Sequence, residues 1–216
     1  IAQPATVVDH YLETLVRELT LYSERPGVKG RSLSFAYFGG GTPSALSSTQ
    51  VRYLADGLRR ALSWDGIAEV TFECAPRSVR REFLEALREI GVTRLSMGVQ
   101  SFDAAHLKRL GRIHSPDDVF RAVGELKQAG IDNFNLDLMY ALPAQAVDEA
   151  LADLEQALAL EPAHLSHYQL TLEPGTAFER RPPPLPDEDA AWQMQVACQS
   201  RLADAGYRHY EVSAYA

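Results

Sequence analysis

The chain has 216 residues, enough for one large α/β domain or two small ones. Apolar residues make up 46% and charged residues 23%, ordinary for a globular protein with a sizeable core, and a net charge of -8 argues against nucleic-acid binding, which needs a basic footprint. No apolar run approaches the roughly 20 residues of a membrane span. Residues 1–22 are too charged for a signal peptide. Cys74 and Cys198 make neither a disulfide framework nor a metal spacing. A cytoplasmic protein is the expectation.

Helix and strand patterns then alternate along the chain. Val8, Tyr11, Leu12, Leu15 and Leu19 lie on one helical face, and residues 33–38 form a short apolar strand ending in Gly39-Gly-Gly41. Val51, Leu54, Leu58 and Leu62 give the next helix, with Ser47 or Ser48 as its N-cap. A strand over 68–72 leads to a helix carrying Phe83, Leu84, Leu87 and Ile90, closed by Gly91. Strand 94–99 follows. Ser115-Pro116 supplies the N-cap and first turn of a helix that stops at Gly130. Residues 131–138 read as strand, 147–160 as helix and 165–171 as strand. A Pro-rich loop at 181–186 precedes a helix over about 187–205 and a strand-like 210–212. Repeated strand–helix units of this length imply parallel strands with right-handed crossovers.

Parallel α/β leaves an open doubly wound sheet or a barrel. Gly39 to Thr42, Glu73, Gln100 and Asp137 each fall at the C-terminal end of a different expected strand. A barrel gathers such ends around one mouth, where active sites are built, so a partial (β/α)6 TIM-like barrel is the expected fold.

The candidate residues carry different chemistries. Gly39-Gly-Gly-Thr-Pro-Ser44 lets a ligand approach the backbone closely and offers free N–H groups, and it is also compatible with a tight structural turn. It does not match a dinucleotide fingerprint, because Pro43 and Ser44 occupy positions five and six and Glu73 lies roughly 30 residues beyond the motif, where the acidic partner should stand about 20 beyond. Glu73 suits an ammonium or ribose hydroxyls, or is simply an exposed strand-end carboxylate. Gln100 suits a nucleoside or caps the next helix. Arg112 can clamp a carboxylate bidentately or stand solvated. Asp137 sits among apolar residues and so either faces a ligand or joins a core ion pair. The six histidines show no metal spacing, although His164 and His167 flank a strand start and are close enough in sequence to approach each other. Cys74 and Cys198 read as small buried residues, and nothing forms a nucleophile–base triad. No catalytic or metal-binding residue is expected in this chain.

Several segments taken together resemble a known family. Phe38-Gly-Gly-Gly-Thr-Pro-Ser44, Leu95-Ser-Met-Gly-Val-Gln-Ser-Phe102, Leu107-Lys-Arg-Leu-Gly-Arg-Ile-His114 and Asn135-Leu-Asp-Leu-Met139 are similar to the radical S-adenosylmethionine (SAM) family of oxygen-independent coproporphyrinogen III dehydrogenases and their relatives. Tyr168-Gln-Leu-Thr-Leu-Glu-Pro-Gly175 and Tyr210-Glu-Val-Ser-Ala-Tyr-Ala216 resemble its heme-chaperone branch more narrowly. The resemblance implies a SAM- and [4Fe–4S]-dependent heme chaperone, with heme or porphyrinogen and heme-acceptor proteins as partners. Its alternative is radical oxidative decarboxylation of coproporphyrinogen III. It further implies one SAM contacted by Gly40 and Glu73, and a second by Gly41, Thr42, Gln100, Arg112 and Asp137. Two departures stand out. The family's C-x-x-x-C-x-x-C is absent, so the chain is expected to be an inactive radical SAM core over 1–216, cut at both ends and lacking the first strand, its cluster loop and a C-terminal domain. Cys74-Ala-Pro76 also replaces the chaperones' usual Asn-Pro, which looks more like other enzymes of the family. A nicotinamide- or flavin-dependent oxidoreductase is the third reading, resting only on strand–glycine turn–helix logic.

Overall fold

The computed structural model describes residues 4–216 and divides the chain into two compact units. The first runs up to Cys74 and includes Ser78–Leu95; the second is Ala75–Arg77 with Ser96–Ala216.

In the first unit, helix α1 (Ala5–Ser23) precedes strand β1 (Phe35–Phe38), helix α2 (Ser48–Ala61), strand β2 (Glu69–Cys74) and helix α3 (Arg81–Glu89). Ser47 starts α2: its hydroxyl accepts the Gln50 N–H, and the Gln50 side chain accepts the Ser47 N–H in return. Helices α1 and α2 approach closely at Gly57, where a Cβ would fall 2.5 Å from a Val16 methyl. Strands β1 and β2 pair in parallel, with Tyr37 beside Thr71 and Phe38 beside Phe72. Phe38 stacks on Phe72 at 5.3 Å, and Phe72 meets the edge of Phe83 from α3 at 5.9 Å. These rings fill one side of the strands.

The second unit continues from the end of strand β3 (Arg94–Gln100) through α4 (Ala104–Arg109), α5 (Pro116–Gln128), β4 (Phe134–Tyr140), α6 (Val147–Ala159) and β5 (His164–Gln169). It closes with α7 (Ala177–Arg180), α8 (Glu188–Asp204), β6 (His209–Glu211) and β7 (Ala214–Tyr215). Its strand order is β3-β4-β5-β7-β6. Strand β4 runs parallel to β5, whereas β7 pairs antiparallel with both β5 and β6. The expectation of parallel strands throughout therefore fails at the C-terminal hairpin. Its strands span three and two residues, too short for the strand–helix periodicity to register.

Strand alternation sorts the side chains. Met97, Val99, Leu136, Leu138 and Leu165 are buried together with the stripes of α5 (Val119, Val123, Leu126), α6 (Leu154) and α8 (Met194, Cys198, Leu202). Fully burying each such side chain stabilises the fold by roughly 1.5–3 kcal/mol. The opposite face is polar, presenting Ser96, Gly98 and Gln100 from β3, Asn135 and Asp137 from β4, and Ser166 and Tyr168 from β5. His164 and His167 are three residues apart and fall on opposite faces, so they do not meet as the sequence suggested. Asp137 is also displaced from its expected place: β4 extends to Tyr140, leaving it in mid-strand.

Candidate functional site

In the first unit the glycine turn and Glu73 form one cluster. Glu73 ends the polar run of β2, and its carboxylate accepts two hydrogen bonds, from the Tyr37 hydroxyl at 2.6 Å and from the Gly40 N–H at 3.1 Å. Space is made by Gly39, where a Cβ would stand 2.4 Å from the Tyr37 ring and 2.9 Å from a Glu73 oxygen. Gly40 and Gly41 take φ of +83° and +59°, a region L side chains rarely adopt. Nothing lies within 4 Å of where their Cβ atoms would be, so the backbone is open to an incoming group. Thr42 is exposed, and its carbonyl accepts the Ala45 N–H as the turn tightens into a short 3₁₀ segment. The structure thus brings Gly40 and Glu73 together, with Gly41 and Thr42 next to them in the chain.

In the second unit the polar face is a connected network. The Asn135 amide donates to Ser96 Oγ (2.9 Å) and to Asp137 Oδ1 (2.7 Å), and Ser166 Oγ donates to Asn135 Oδ1 (3.2 Å). Ser96 Oγ lies 3.4 Å from both Asp137 oxygens. Asp137 is half-buried and oriented by these neighbours. Gln100 closes β3 at 4% exposure with φ of +72°, outside the region a non-glycine residue ordinarily occupies. Its Oε1 accepts the Tyr168 hydroxyl at 2.8 Å. Capping of the following helix falls to Asp103, which accepts the His106 N–H, so that alternative reading of Gln100 drops out.

Arg112 is exposed, and among the described residues no hydrogen bond or ion pair is drawn to its guanidinium. Its loop is nonetheless fixed. His114 Nε2 donates to the Val99 carbonyl at 2.9 Å, one residue before Gln100, and Arg77 donates to the Ile113 carbonyl at 3.3 Å. Burial pushes the His114 imidazole below its ordinary value, so it sits there neutral.

Sequence reasoning missed Tyr37, Ser96, Asn135, Ser166 and Tyr168. The period-two alternation of strands 94–100, 134–140 and 164–169 was the signal that contained the last four; Tyr37 lies in the short strand 35–38.

The chain spans about half the length of the curated relatives it matches. Residues 7–157 match the family model described as the Radical SAM superfamily. The chain belongs to the radical SAM superfamily. It is 45% identical over 208 residues, 96% of this chain and 54% of the relative, to the heme chaperone HemW of Escherichia coli K12. It is 40% identical over 184 residues, 83% of this chain and 42% of the relative, to mouse radical S-adenosyl methionine domain-containing protein 1, mitochondrial. Among solved structures, coproporphyrinogen III oxidase (HemN) from Escherichia coli superposes with a TM-score of 0.91 at 28% identity, covering all of this chain and 50% of that one. The fold class is the α/β class of radical SAM proteins, as the strand–helix alternation implied.

Whether this chain's residues suit the superfamily's cofactors can be judged from its side chains. For SAM they fit: an accessible carboxylate beside open glycine backbone in one unit, and a polar strand face in the other. For an iron–sulfur cluster they do not. Cluster thiolates must be ionised and accessible, whereas both cysteines are buried; burial pushes the Cys74 thiol far up and that of Cys198 to about 12. Among the described residues no group of three His, Cys, Asp or Glu side chains is placed to hold a metal ion. Nor is any described helix long and apolar enough to cross a membrane.

Proposed function

We propose that this chain is the SAM-contacting part of a heme chaperone of the HemW type, a protein that binds heme and hands it to acceptor proteins. The observation that carries this reading is the 45% identity to the Escherichia coli heme chaperone over 96% of the chain. Gly40, Gly41, Thr42 and Glu73 are its SAM contacts in the first unit, and Gln100, Arg112 and Asp137 those in the second. Where bound, SAM would supply a cleavable sulfonium bond. This chain's own residues recognise the ligand's polar groups. The Glu73 carboxylate takes an ammonium or hydroxyl, the open amides around Gly41 take an anionic group, and Arg112 forks onto a carboxylate. The cluster's thiolates must come from outside these 216 residues. Cytoplasmic residence is part of the same proposal.

A second reading, radical decarboxylation of coproporphyrinogen III, is favoured by the TM-score of 0.91 to coproporphyrinogen III oxidase, though at 28% identity. The full-length protein, anaerobically reconstituted, separates the two. The chaperone reading predicts stable heme binding without coproporphyrinogen turnover; turnover without stable heme binding contradicts it.

A further inference from the structure

The second unit contains a buried carboxylate that none of the proposed ligand contacts uses. Asp153 lies on the apolar stripe of α6 with Ala150, Leu154 and Ala157, and only 4% of its surface is exposed. An ionised carboxylate in such a place is unfavourable unless donors surround it. Asp153 has two. The Ser101 hydroxyl donates to Oδ2 at 2.7 Å and the Phe102 N–H donates to Oδ1 at 2.6 Å. Both donors belong to the two residues that follow Gln100. Ser101 Oγ in turn accepts the Asp103 N–H at 3.0 Å, carrying the same grip into the cap of α4.

Gln100 is where that grip acts. Its φ of +72° is a conformation a non-glycine residue holds only when its surroundings over-determine it. The side chain is fixed at its other end, with Oε1 accepting from Tyr168. Among the described residues nothing accepts a hydrogen bond from its Nε2. Nε2 sits over Gly98, where a Cβ would stand 3.1 Å away, so the absence of a side chain at position 98 gives the amide its room. With its acceptor engaged, Gln100 has N–H donors left to offer.

We propose that Asp153 is a positioning residue for Gln100, holding the turn after β3 in its left-handed form so that Gln100 Nε2 donates to an acceptor oxygen of SAM. This rests on the reading of Gln100 as a SAM contact. The role is remote, since Asp153 touches the turn and not the ligand, and it predicts that the two residues act as one unit.

The test is equilibrium SAM binding to the anaerobically reconstituted full-length protein, for Asp153→Asn, Gln100→Ala and the double variant. Each single variant weakens binding about tenfold, and the double variant weakens it no further, because coupled residues lose their effect together. Losses that multiply, or unchanged affinity in a folded Asp153→Asn protein, overturn the proposal. If Asp153→Asn does not fold, Ser101→Ala, which removes one of the two donors, carries the same comparison. It weakens binding about threefold in the wild-type background and not in the Gln100→Ala background, and equal effects in both overturn the proposal. Unchanged affinity in Gln100→Ala alone overturns the SAM-contact reading instead. A crystal structure of the Asp153 or Ser101 variant then decides the positioning claim. Gln100 released from Tyr168 and relaxed to negative φ upholds it, and unmoved geometry overturns it.

Discussion

Glu73 and Gln100 both stand at or near the end of a strand, and they are held in opposite ways. Glu73 is partly open to solvent; its two partners are a tyrosine hydroxyl and a backbone N–H, and the arrangement exists because Gly39 has no side chain. Gln100 is buried, locally strained, and tied to a phenol on one side and, through Ser101 and Phe102, to a buried carboxylate on the other. The first cluster depends on empty space and the second on packing. They should therefore fail under different insults.

Acid should separate them most. His167, on the apolar face of β5 beside Tyr168, stacks on Tyr140 at 4.8 Å, and burial pushes its imidazole down to about 4. Between that value and the ordinary 6.5 the unfolded chain binds a proton that the folded chain refuses. Stability is thus fully present above about pH 6.5 and falls as the pH drops towards 4, by about 3 kcal/mol in all. Urea melts at pH 7 and pH 4.5 should show this loss, and His167→Phe should reduce it. Hydrogen exchange should then speed up at the Phe102 amide more than at the Gly40 amide. An identical acid response in wild type and His167→Phe would contradict the assignment.

Removing the carboxylate of the exposed cluster comes next. Glu73→Ala should weaken SAM binding to the full-length protein by about 30-fold, near 2 kcal/mol for hydrogen bonds to a charged group, with little change in Tm because the side chain is not in the core. Gly39→Ala should act through space alone. A methyl 2.4 Å from the Tyr37 ring forces the Tyr37–Glu73 pair apart and should weaken SAM binding about tenfold. Wild-type affinity in the Gly39→Ala protein would show that this pair is not needed in its present geometry. The smallest effect concerns strain after β4, where Ala141 and Ala144 take φ of +54° and +56°. Ala144→Gly relieves a left-handed alanine while keeping the N–H bond to the Pro184 carbonyl, and should raise stability by about 0.5–1 kcal/mol in chemical denaturation.

What the sequence made legible follows the same division. Alternating helix and strand periods, Ser47, Ser115 and the terminal glycines located the longer elements to within a few residues, because those signals are local; the short α4, α7 and β7 were not read. Gly40 and Glu73 were legible because both stand near strand ends, next to turn chemistry. Asp137 was recognised as unusual yet placed at a strand end, since the apolar run of β4 hid two further residues of strand. The left-handed φ of Gln100 has no sequence signature, because glutamine does not favour it. Asp153 did leave one, a carboxylate at a position where the apolar stripe of α6 calls for a hydrophobic residue. Its partners 51 and 52 positions away were invisible to periodicity.

Equilibrium binding of SAM to the anaerobically reconstituted full-length protein, comparing wild type with Glu73→Ala and Gln100→Ala, tests most directly the claim that this chain carries SAM contacts in both units. A loss of affinity in each variant, with the fold intact, is the expected result. Wild-type affinity in both would contradict it.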